Sequence, residues 1–445
     1  MKIKLLVLFM LMVTFLLARE QITIYNDNFS LVRSTLELNL TNGIQSYFMD
    51  DIPSTIEANS VIIKSIRGKF DIFSQNYEYD LANSTKIISK YIGKEVEIIS
   101  EDNTKFLGIL QFSDSSTIGI IENTTNKLIL IKTEVVKNIN LAELPANFFL
   151  KPTLHWRLNT AKAGIYPIDF SYLCTGLKWD VTYNTVWNEE IGNLDINSWV
   201  TIVNETGKAF KDTKLKLIAG DVQKIQPETY TRGYTKMAVE STMARQPEFE
   251  EKAFHDFHMY TLSENMNINN NQTKQLRLFP LKSVESEPKY EYKTGATKVQ
   301  SKIKFINTAK NGLGLPLPKG VVKIYKKDEA DNELEFIGED RVDHIAKDEE
   351  VLLSTGNAFD LICETILEER IMLAKNIYES KRKVVLKNRS NKKKTITVIH
   401  NIYGNWTILK NNKPFTKKSA TEIEFIIELK ADEVYELTWI ERVES

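Results

Sequence analysis

Apolar and polar residues alternate with a period of two along most of this sequence, and this pattern restricts the fold more than any other feature. Near the C-terminus, alternate positions of residues 423–429 and 435–439 are apolar, and Glu424, Glu428, Glu436 and Thr438 lie between them. Because successive side chains of a strand point to opposite faces, the two runs predict a β-hairpin with one buried face. The same alternation recurs at residues 36–41, and in the strand-like run 199–203 Trp199, Thr201 and Val203 would face oppositely to Val200 and Ile202. Strands are therefore expected along the whole chain.

Helical patterns are almost absent from the sequence. A parallel α/β fold needs amphipathic helices between its strands, and only residues 364–383, rich in Glu, Leu, Ala and Lys, have high helix propensity. This segment lies between strand-like runs, and tertiary pairing often overrides propensity, so strands are predicted there too. The predicted fold class is therefore all-β.

Length and composition suggest several domains. At 445 residues, 42% of them hydrophobic and 26% charged, the chain is long enough for about three globular domains. Residues 90–140 contain five short strand-like runs, a rhythm typical of small SH3-like or Sm-like barrels. We predict that this barrel is inserted after an N-terminal β module (19–89) and precedes two β-sandwich-like antiparallel modules (141–330 and 331–445). Residues 226–253 lack periodicity and are predicted to be a mobile excursion.

The first residues have the pattern of an export signal. Lys2 and Lys4 precede an apolar run over residues 5–17, which Ala18 follows. The run is shorter than the roughly 20 apolar residues of a membrane-spanning helix, so residues 1–18 are predicted to be a signal peptide. Ala18 is the candidate cleavage site, although Leu16 is an unfavourable residue three positions before the cut. An uncleaved anchor and a buried helix are the alternatives. We expect an exported protein of the periplasm, cell surface or extracellular medium, with no membrane span after the leader.

Two cysteines, Cys174 and Cys363, lie in apolar strand-like runs. An oxidising compartment would permit one disulfide between them. Buried free cysteines behave as small hydrophobic residues, so two unpaired core cysteines are the preferred prediction.

The strongest local charge feature is a basic cluster near the C-terminus. It comprises Lys381, Arg382, Lys383, Lys387, Arg389, Lys392, Lys393 and Lys394. We predict a hairpin whose strands are joined at residues 389–394 and whose lysines protect an edge and a turn. The alternative is a binding patch for anionic surface polysaccharide or phospholipid headgroups. The net charge of −1 makes nucleic acid an unfavourable partner.

A glycine- and proline-rich segment, residues 311–320, is predicted to be a rigid irregular connection between two strands. Gly312 and Gly314 allow unusual backbone angles, while Pro316 and Pro318 fix φ and remove backbone donors. A ligand-binding loop is the alternative, which makes Gly312 and Gly314 candidate binding residues.

Local signatures of catalysis are missing. The sequence contains no Gly-x-Ser-x-Gly elbow, His-Glu-x-x-His, Cys-x-x-Cys or phosphate-binding loop. His255 and His258 have a spacing that suits metal ligation on a helix, but in a strand it puts their side chains on opposite faces. Acidic pairs such as Glu189 with Glu190 are interpreted as solvent-exposed surface residues. We predict no catalytic residue, metal or cofactor.

Several longer runs match a known family. They are KPTLHWRLNTAKAG, SYLCTGLKWDVTYN, WVTIVNETGKAFKDTKLKLIAGDV, NGLGLPLPKGVVKIY, FIGEDRVDHIAKDEEVLLSTGNAFDL and the C-terminal IHNIYGNWTILKNN through ELTWIERV. In these runs the chain resembles the mucoidy-inhibitor-like bacterial proteins, whose shared module is called domain of unknown function 4139. ITIYNDNFSLVRSTLELNL and the small barrel resemble the N-terminal half of such proteins. The clearest departure follows Asp360, where acidic ILEER replaces a basic stretch.

The resemblance implies export and a β-rich fold, and it implies no reaction. We therefore expect an envelope protein of unknown activity that acts as a non-enzymatic binding or structural module and contacts an envelope protein or an anionic surface polysaccharide. The alternative is a hydrolase acting on cell-wall glycan or peptide through residues far apart in sequence, such as His155, Asp180, His344 and Asp360.

Overall fold

β-Strands make up most of the described chain. The computed structural model describes residues 20–80, 84–141, 148–220, 222–223, 249–328 and 331–444. Its one α-helix there, α1 (Ser84–Ser89), is six residues long, so the all-β prediction is confirmed. Within these ranges no helix has the length and apolar character needed to cross a membrane. The predicted leader and most of the predicted excursion (226–253) lie outside the described residues.

The strands are numbered in chain order. The first twelve are β1 (Gln21–Tyr25), β2 (Phe29–Leu40), β3 (Gly43–Met49), β4 (Ile62–Ser65), β5 (Phe70–Glu78), β6 (Glu95–Ser100), β7 (Lys105–Ser113), β8 (Thr117–Glu122), β9 (Leu128–Lys132), β10 (Val136–Leu141), β11 (Thr153–Thr160) and β12 (Gly164–Thr175). The next nine are β13 (Leu177–Asn188), β14 (Asn193–Asn204), β15 (Phe210–Ala219), β16 (Phe249–Phe254), β17 (Phe257–Leu262), β18 (Met266–Ile268), β19 (Gln272–Arg277), β20 (Lys282–Lys293) and β21 (Gln300–Ile306). The last ten are β22 (Gly320–Lys327), β23 (Leu334–Val342), β24 (Glu350–Asn357), β25 (Leu361–Ala374), β26 (Ile377–Asn388), β27 (Lys394–Asn401), β28 (Asn405–Asn411), β29 (Phe415–Lys417), β30 (Glu422–Leu429) and β31 (Val434–Glu444).

The chain divides into two compact units. Unit 1 contains the residues up to 178 with 203–217 and 264–274, and unit 2 contains residues 179–202, 218–263 and 275–445.

Two sheets of unit 1 share a core. In the larger one β1, β2, β12 and β4 pair in that order, all antiparallel. In the smaller one β11 lies between β3 and β5. Trp156 on β11 and Phe170 on β12 are almost fully buried, and their ring centroids lie 5.8 Å apart. This contact joins the inner faces of the two sheets, as in a β-sandwich.

Residues 90–140, predicted to be a small barrel, contain five strands and a separate core. β6–β10 form one antiparallel sheet in the order β10-β6-β7-β8-β9. Its inner face buries Val96, Ile98, Leu110 and Ile120 among other apolar residues. In this described segment β9 and β10 are the two edges of the sheet, so the strand pairing does not close it into a barrel.

Unit 2 is built from a long mixed sheet and a four-stranded sheet. The long sheet runs β23-β22-β13-β14-β20-β27-β30-β29, with β21 and β24 attached through β20. The four-stranded sheet has the order β25-β26-β31-β28. A common core contains Ile396 and Phe425 from the first sheet and Val384 and Trp439 from the second. The two sheets therefore pack face to face.

Strands were predicted correctly for residues 364–383, which belong to β25 and β26, but two predicted hairpins are wrong. β26 pairs with β25 and β31, whereas β27 pairs with β20 and β30. β30 and β31 likewise lie in different sheets. In both cases the chain crosses from one sheet to the other, because this lets both strands bury their apolar faces in the same core.

The crossover between β26 and β27 is held by a buried asparagine. Asn388 Nδ2 donates to Lys392 O and Lys430 O, both at 2.8 Å. Asn388 Oδ1 accepts hydrogen bonds from the backbone N–H and hydroxyl of Ser390. Because one buried side chain bonds to two residues of its own segment and to Lys430 beside it, Asn388 fixes the path of the basic segment between the sheets.

Candidate functional site

The basic cluster predicted from the sequence is largely neutralised by carboxylates. Lys381 and Lys383 lie 3.0 and 3.2 Å from the two oxygens of Glu368. Arg382 Nε donates to the buried Glu441 carboxylate at 2.6 Å. Two further members form ion pairs of their own: Lys393 with Glu428 at 2.5 Å, and Lys394 with Glu189 at 3.3 Å.

Three members of the cluster remain. Among the described residues no carboxylate oxygen lies within 4.0 Å of the charged nitrogens of Lys387, Arg389 or Lys392. A surface that attracts a polyanion needs a concentration of uncompensated positive charge. Most of the positive charge of the basic cluster is instead neutralised by carboxylates of the same chain.

The two candidate glycines have a structural explanation. Both have positive φ, +87° at Gly312 and +63° at Gly314. A Cβ at Gly312 would lie 2.5 Å from Ser283 O, and one at Gly314 would collide with the backbone of Ala309. The backbone geometry alone therefore requires glycine at both positions. The segment does form an irregular connection between β21 and β22, as predicted.

The histidines occupy unrelated positions. His255 is in the two-residue turn between β16 and β17, and His258 Nδ1 lies 2.8 Å from Glu251 Oε1 on the neighbouring strand. His155 of unit 1 stacks on Phe48 and contacts Ser46 Oγ at 3.0 Å. In the part of the chain that the structure describes, no three His, Cys, Asp or Glu side chains come close enough to hold a metal ion.

The three unit 2 residues considered for a hydrolase, His344, Asp180 and Asp360, do not share a common environment. His344 Nδ1 accepts a hydrogen bond from the backbone N–H of Lys319 at 3.1 Å, so it braces the start of β22. Asp180 and Asp360 are exposed. The backbone carbonyl of Asp360 accepts a hydrogen bond from the backbone N–H of Arg389.

The structure brings three of the candidate binding residues, Lys392, Lys393 and Lys394, together with residues distant in sequence at a site in unit 2, which we call the Glu189 cleft. It consists of two adjoining cavities of about 290 and 480 Å³ that share Glu189 and Glu190. The first is also lined by Pro288, Tyr290, Lys392, Lys393, Lys394 and Thr395. The second is also lined by Val186, Trp187, Asn188, Ile191, Asn193, Asp195, Lys326, Lys327, Asp328 and Asn332.

The cleft is positioned by the turn that follows β13. Asn188 Oδ1 accepts hydrogen bonds from the backbone N–H groups of Glu190 and Ile191 at 3.1 and 3.2 Å. β13 pairs in parallel with β22, which places Trp187 opposite Lys326. β20 pairs in parallel with β27, so Tyr290 and Lys394 come from neighbouring strands.

Glu189 is the electrostatic centre of the cleft. Its carboxylate accepts hydrogen bonds from Lys326 Nζ at 2.9 Å and from Lys394 Nζ at 3.3 Å. Burial alone would raise the pKa of Glu189, but the two lysines outweigh it and hold the pKa below its ordinary value. Glu189 therefore stays ionised, which makes it a poor proton donor and a fixed hydrogen-bond acceptor.

Aromatic rings lie beside both lysines. The Lys326 ammonium is 5.6 Å from the Trp187 ring centroid, and the Lys394 ammonium is 5.1 Å from that of Tyr290. Lys394 Nζ also donates to the Tyr290 hydroxyl at 2.9 Å. The Trp187 indole N–H is buried and has no hydrogen-bond partner among the described residues. A buried donor without a partner is unfavourable, and a bound acceptor in the cavity would satisfy it.

The balance of charge indicates what the cleft can hold. Its walls carry five lysines and four carboxylates together with three asparagine side chains. Such a surface offers many donors and acceptors without a strong field of either sign, which suits polar ligands of low net charge. The sequence analysis named Lys392, Lys393 and Lys394 of this site as candidate binding residues. It missed the acidic side of the cleft because it took Glu189 and Glu190 for ordinary surface residues, and no local motif marks them.

Neither the models of known protein families nor the curated proteins gave a match to this chain. The resemblance to the mucoidy-inhibitor-like proteins stays a prediction.

Proposed function

We propose that this chain is an exported, non-enzymatic binding protein of the bacterial envelope and that the Glu189 cleft holds its partner, a polar polymer of low net charge such as a neutral glycan strand. Export rests on the leader predicted for residues 1–18. The observation that carries the binding site is the compensated carboxylate of Glu189, held between two lysines that each lie beside an aromatic ring. Aromatic walls with a few fixed polar groups are typical of small-molecule and sugar sites.

Two features favour binding over hydrolysis. A general acid for glycoside cleavage needs a raised pKa, whereas the pKa of Glu189 is lowered. The unpaired indole N–H of Trp187 offers a hydrogen bond that needs no chemistry from the ligand. The anionic polysaccharide considered from the sequence is less favoured, because five of the eight basic residues already pair with carboxylates.

Calorimetric titration of the mature chain with neutral and acidic glycan fractions of an envelope extract tests the proposal. We expect binding to the neutral fraction that changes little with salt, because few ions are released. The variant Lys394→Met should weaken it about tenfold, the loss of one charge-assisted contact of about 1.4 kcal/mol. Lys418→Met, which removes an exposed ion pair with Glu424, serves as the matched control.

Other outcomes separate the alternatives. Binding to the acidic fraction alone, with steep salt dependence, would favour an anion site at Lys387 and Arg389, the uncompensated basic residues that do not line the cleft. Equal binding by wild type and the Lys394 variant would remove the cleft from consideration. Release of smaller fragments from cell-wall glycan or peptide, detected by mass spectrometry, would establish the hydrolase instead.

A further inference from the structure

Unit 1 contains a second polar cavity, of about 180 Å³, which we call the Lys208 cavity. Lys208, Glu20, Asp51 and Ser34 contribute its polar groups, and Tyr172 and Phe170 lie in its wall with two aliphatic side chains. Its volume is several times the roughly 30 Å³ that one liquid water occupies. It shares no residue with the Glu189 cleft.

Lys208 makes all of its side-chain hydrogen bonds within the protein. The side chain is about 93% buried, and Nζ donates to Glu20 Oε1 at 2.9 Å, Asp51 Oδ2 at 2.9 Å and Asp51 O at 2.8 Å. An ammonium has three hydrogens, so none is left for a ligand. The backbone at Lys208 is fixed as well, because its carbonyl accepts from Asn204 Nδ2 and its N–H donates to Thr206 Oγ1.

Among the described residues that line the cavity, one lysine and two carboxylates give a formal charge of −1; Glu20 is largely buried, whereas the Asp51 side chain is 85% exposed and lies at the mouth of the cavity. Glu20 Oε1 is used by Lys208, with Ser34 Oγ 3.5 Å away. An ionised carboxylate can accept about four hydrogen bonds, so Glu20 and Asp51 keep unused acceptor capacity. The charge that the cavity can still compensate is therefore positive.

Tyr172 adds a second, independent indication of a ligand. The residue is 1% exposed, and its hydroxyl has no hydrogen-bond partner among the described residues. Burial, reinforced by the nearby anions of Glu20 and Asp51, raises the pKa of Tyr172 well above its ordinary value, so the hydroxyl stays protonated. The aromatic ring of Phe170 beside it can stabilise a cation through its π face.

We propose that the Lys208 cavity binds a primary ammonium group on a short apolar stem. The ammonium would be held by the free acceptor positions of Glu20 and Asp51 and by the oxygen of Tyr172, and the stem would lie against Phe170. A free alkylamine and a lysine side chain of a partner protein carry this same group.

The test uses n-butylammonium chloride with the full mature chain, read out by calorimetry and thermal unfolding. Sodium chloride at equal ionic strength and 1-butanol are the charge and shape controls. We expect saturable binding of n-butylammonium alone, weakened about tenfold in Tyr172→Phe, since a hydrogen bond to a charged group contributes about 1.5 kcal/mol or more. Tyr403→Phe, at a site 72% exposed, should bind like wild type.

The stability of Tyr172→Phe and the affinities of related ligands decide whether the Lys208 cavity binds an ammonium group. Tyr172→Phe should be at least as stable as wild type in buffer, because its hydroxyl has no hydrogen-bond partner among the described residues. Weaker binding by this variant would therefore not result from unfolding. A blocked lysine peptide that binds more tightly than n-butylammonium would identify a partner protein as the source, and equal affinity would identify a free amine. No heat beyond that of sodium chloride, equal binding of 1-butanol, or undiminished binding by Tyr172→Phe would overturn the proposal.

Discussion

We expect the substitution Glu441→Gln to lower the free energy of unfolding of unit 2 by about 3 kcal/mol at neutral pH. The carboxylate is almost fully buried and accepts hydrogen bonds from Arg382 Nε at 2.6 Å and Trp439 Nε1 at 2.9 Å, with His400 Nε2 also 2.9 Å away. Burial alone would raise its pKa, but the contacts with His400 and Arg382 lower the pKa from 4.5 to about 2.

The expected loss of unfolding free energy and its dependence on pH both follow from the lowered pKa of Glu441. One pKa unit corresponds to about 1.4 kcal/mol, so the charged carboxylate stabilises the folded state by about 3 kcal/mol. Because the pKa of Glu441 is lower in the folded state, this contribution is fully present above about pH 4.5 and is lost as the pH falls from there towards about 2. The stability difference between wild type and Glu441→Gln should shrink over the same range.

Urea unfolding followed by tryptophan fluorescence, at neutral pH and at about pH 3, measures this difference. The matched control is Glu379→Gln, because Glu379 pairs with Arg442 at 2.6 Å across the same two strands, β26 and β31, but on a partly solvent-exposed face. Exposed pairs contribute about 0–1 kcal/mol. Equal losses in the two variants, or a difference that stays constant with pH, would refute the reasoning.

Three further substitutions or measurements test other parts of the structure. Gly314→Ala should destabilise unit 2 by about 1–3 kcal/mol in thermal unfolding, because the new Cβ would collide with the backbone of Ala309 at a residue with positive φ. The control Gly295→Ala, also at positive φ but with open space around its Cβ, should lose less stability. Asn388→Ala should cost about 1–3 kcal/mol, since it removes the hydrogen bonds that the buried side chain makes with Lys392 O, Lys430 O and Ser390, and an unchanged urea midpoint would contradict its role at the crossover. Burial raises the pKa of the Cys363 thiol to about 12, so iodoacetamide should label it slowly in a folded Cys174→Ser variant and quickly in urea; similar rates would show that the thiol is accessible.

The strands were predictable, and their partners were not. Alternation at residues 423–429 and 435–439 correctly indicated β30 and β31, because one buried face leaves a period of two in any strand. The pattern does not record which strand lies alongside. Two strands close in sequence look the same whether they form a hairpin or cross between sheets, and here the chain crosses at both predicted hairpins.

Buried asparagine side chains at two connections between strands explain part of what the sequence left open. Asn204 and Asn388 each begin an Asn-x-Ser/Thr-x-Lys segment, and in both the asparagine amide donates to the lysine carbonyl while its oxygen accepts from the Ser or Thr. This repeated spacing is visible in the sequence, but only the hydrogen bonds reveal what it does. The two cysteines, by contrast, were predicted correctly as buried and free.

The sequence by itself determined the all-β fold and the glycines that the β21–β22 connection requires, because each depends on local backbone preference or on burial along one strand. Only the tertiary structure decided where charge is compensated. Glu189 meets lysines 137 and 205 residues away, and Lys208 meets a glutamate 188 residues away. Electrostatic energy depends on distance in space, which sheet order sets, so the same lysines could have formed either an open basic patch or the walls of a neutral cleft.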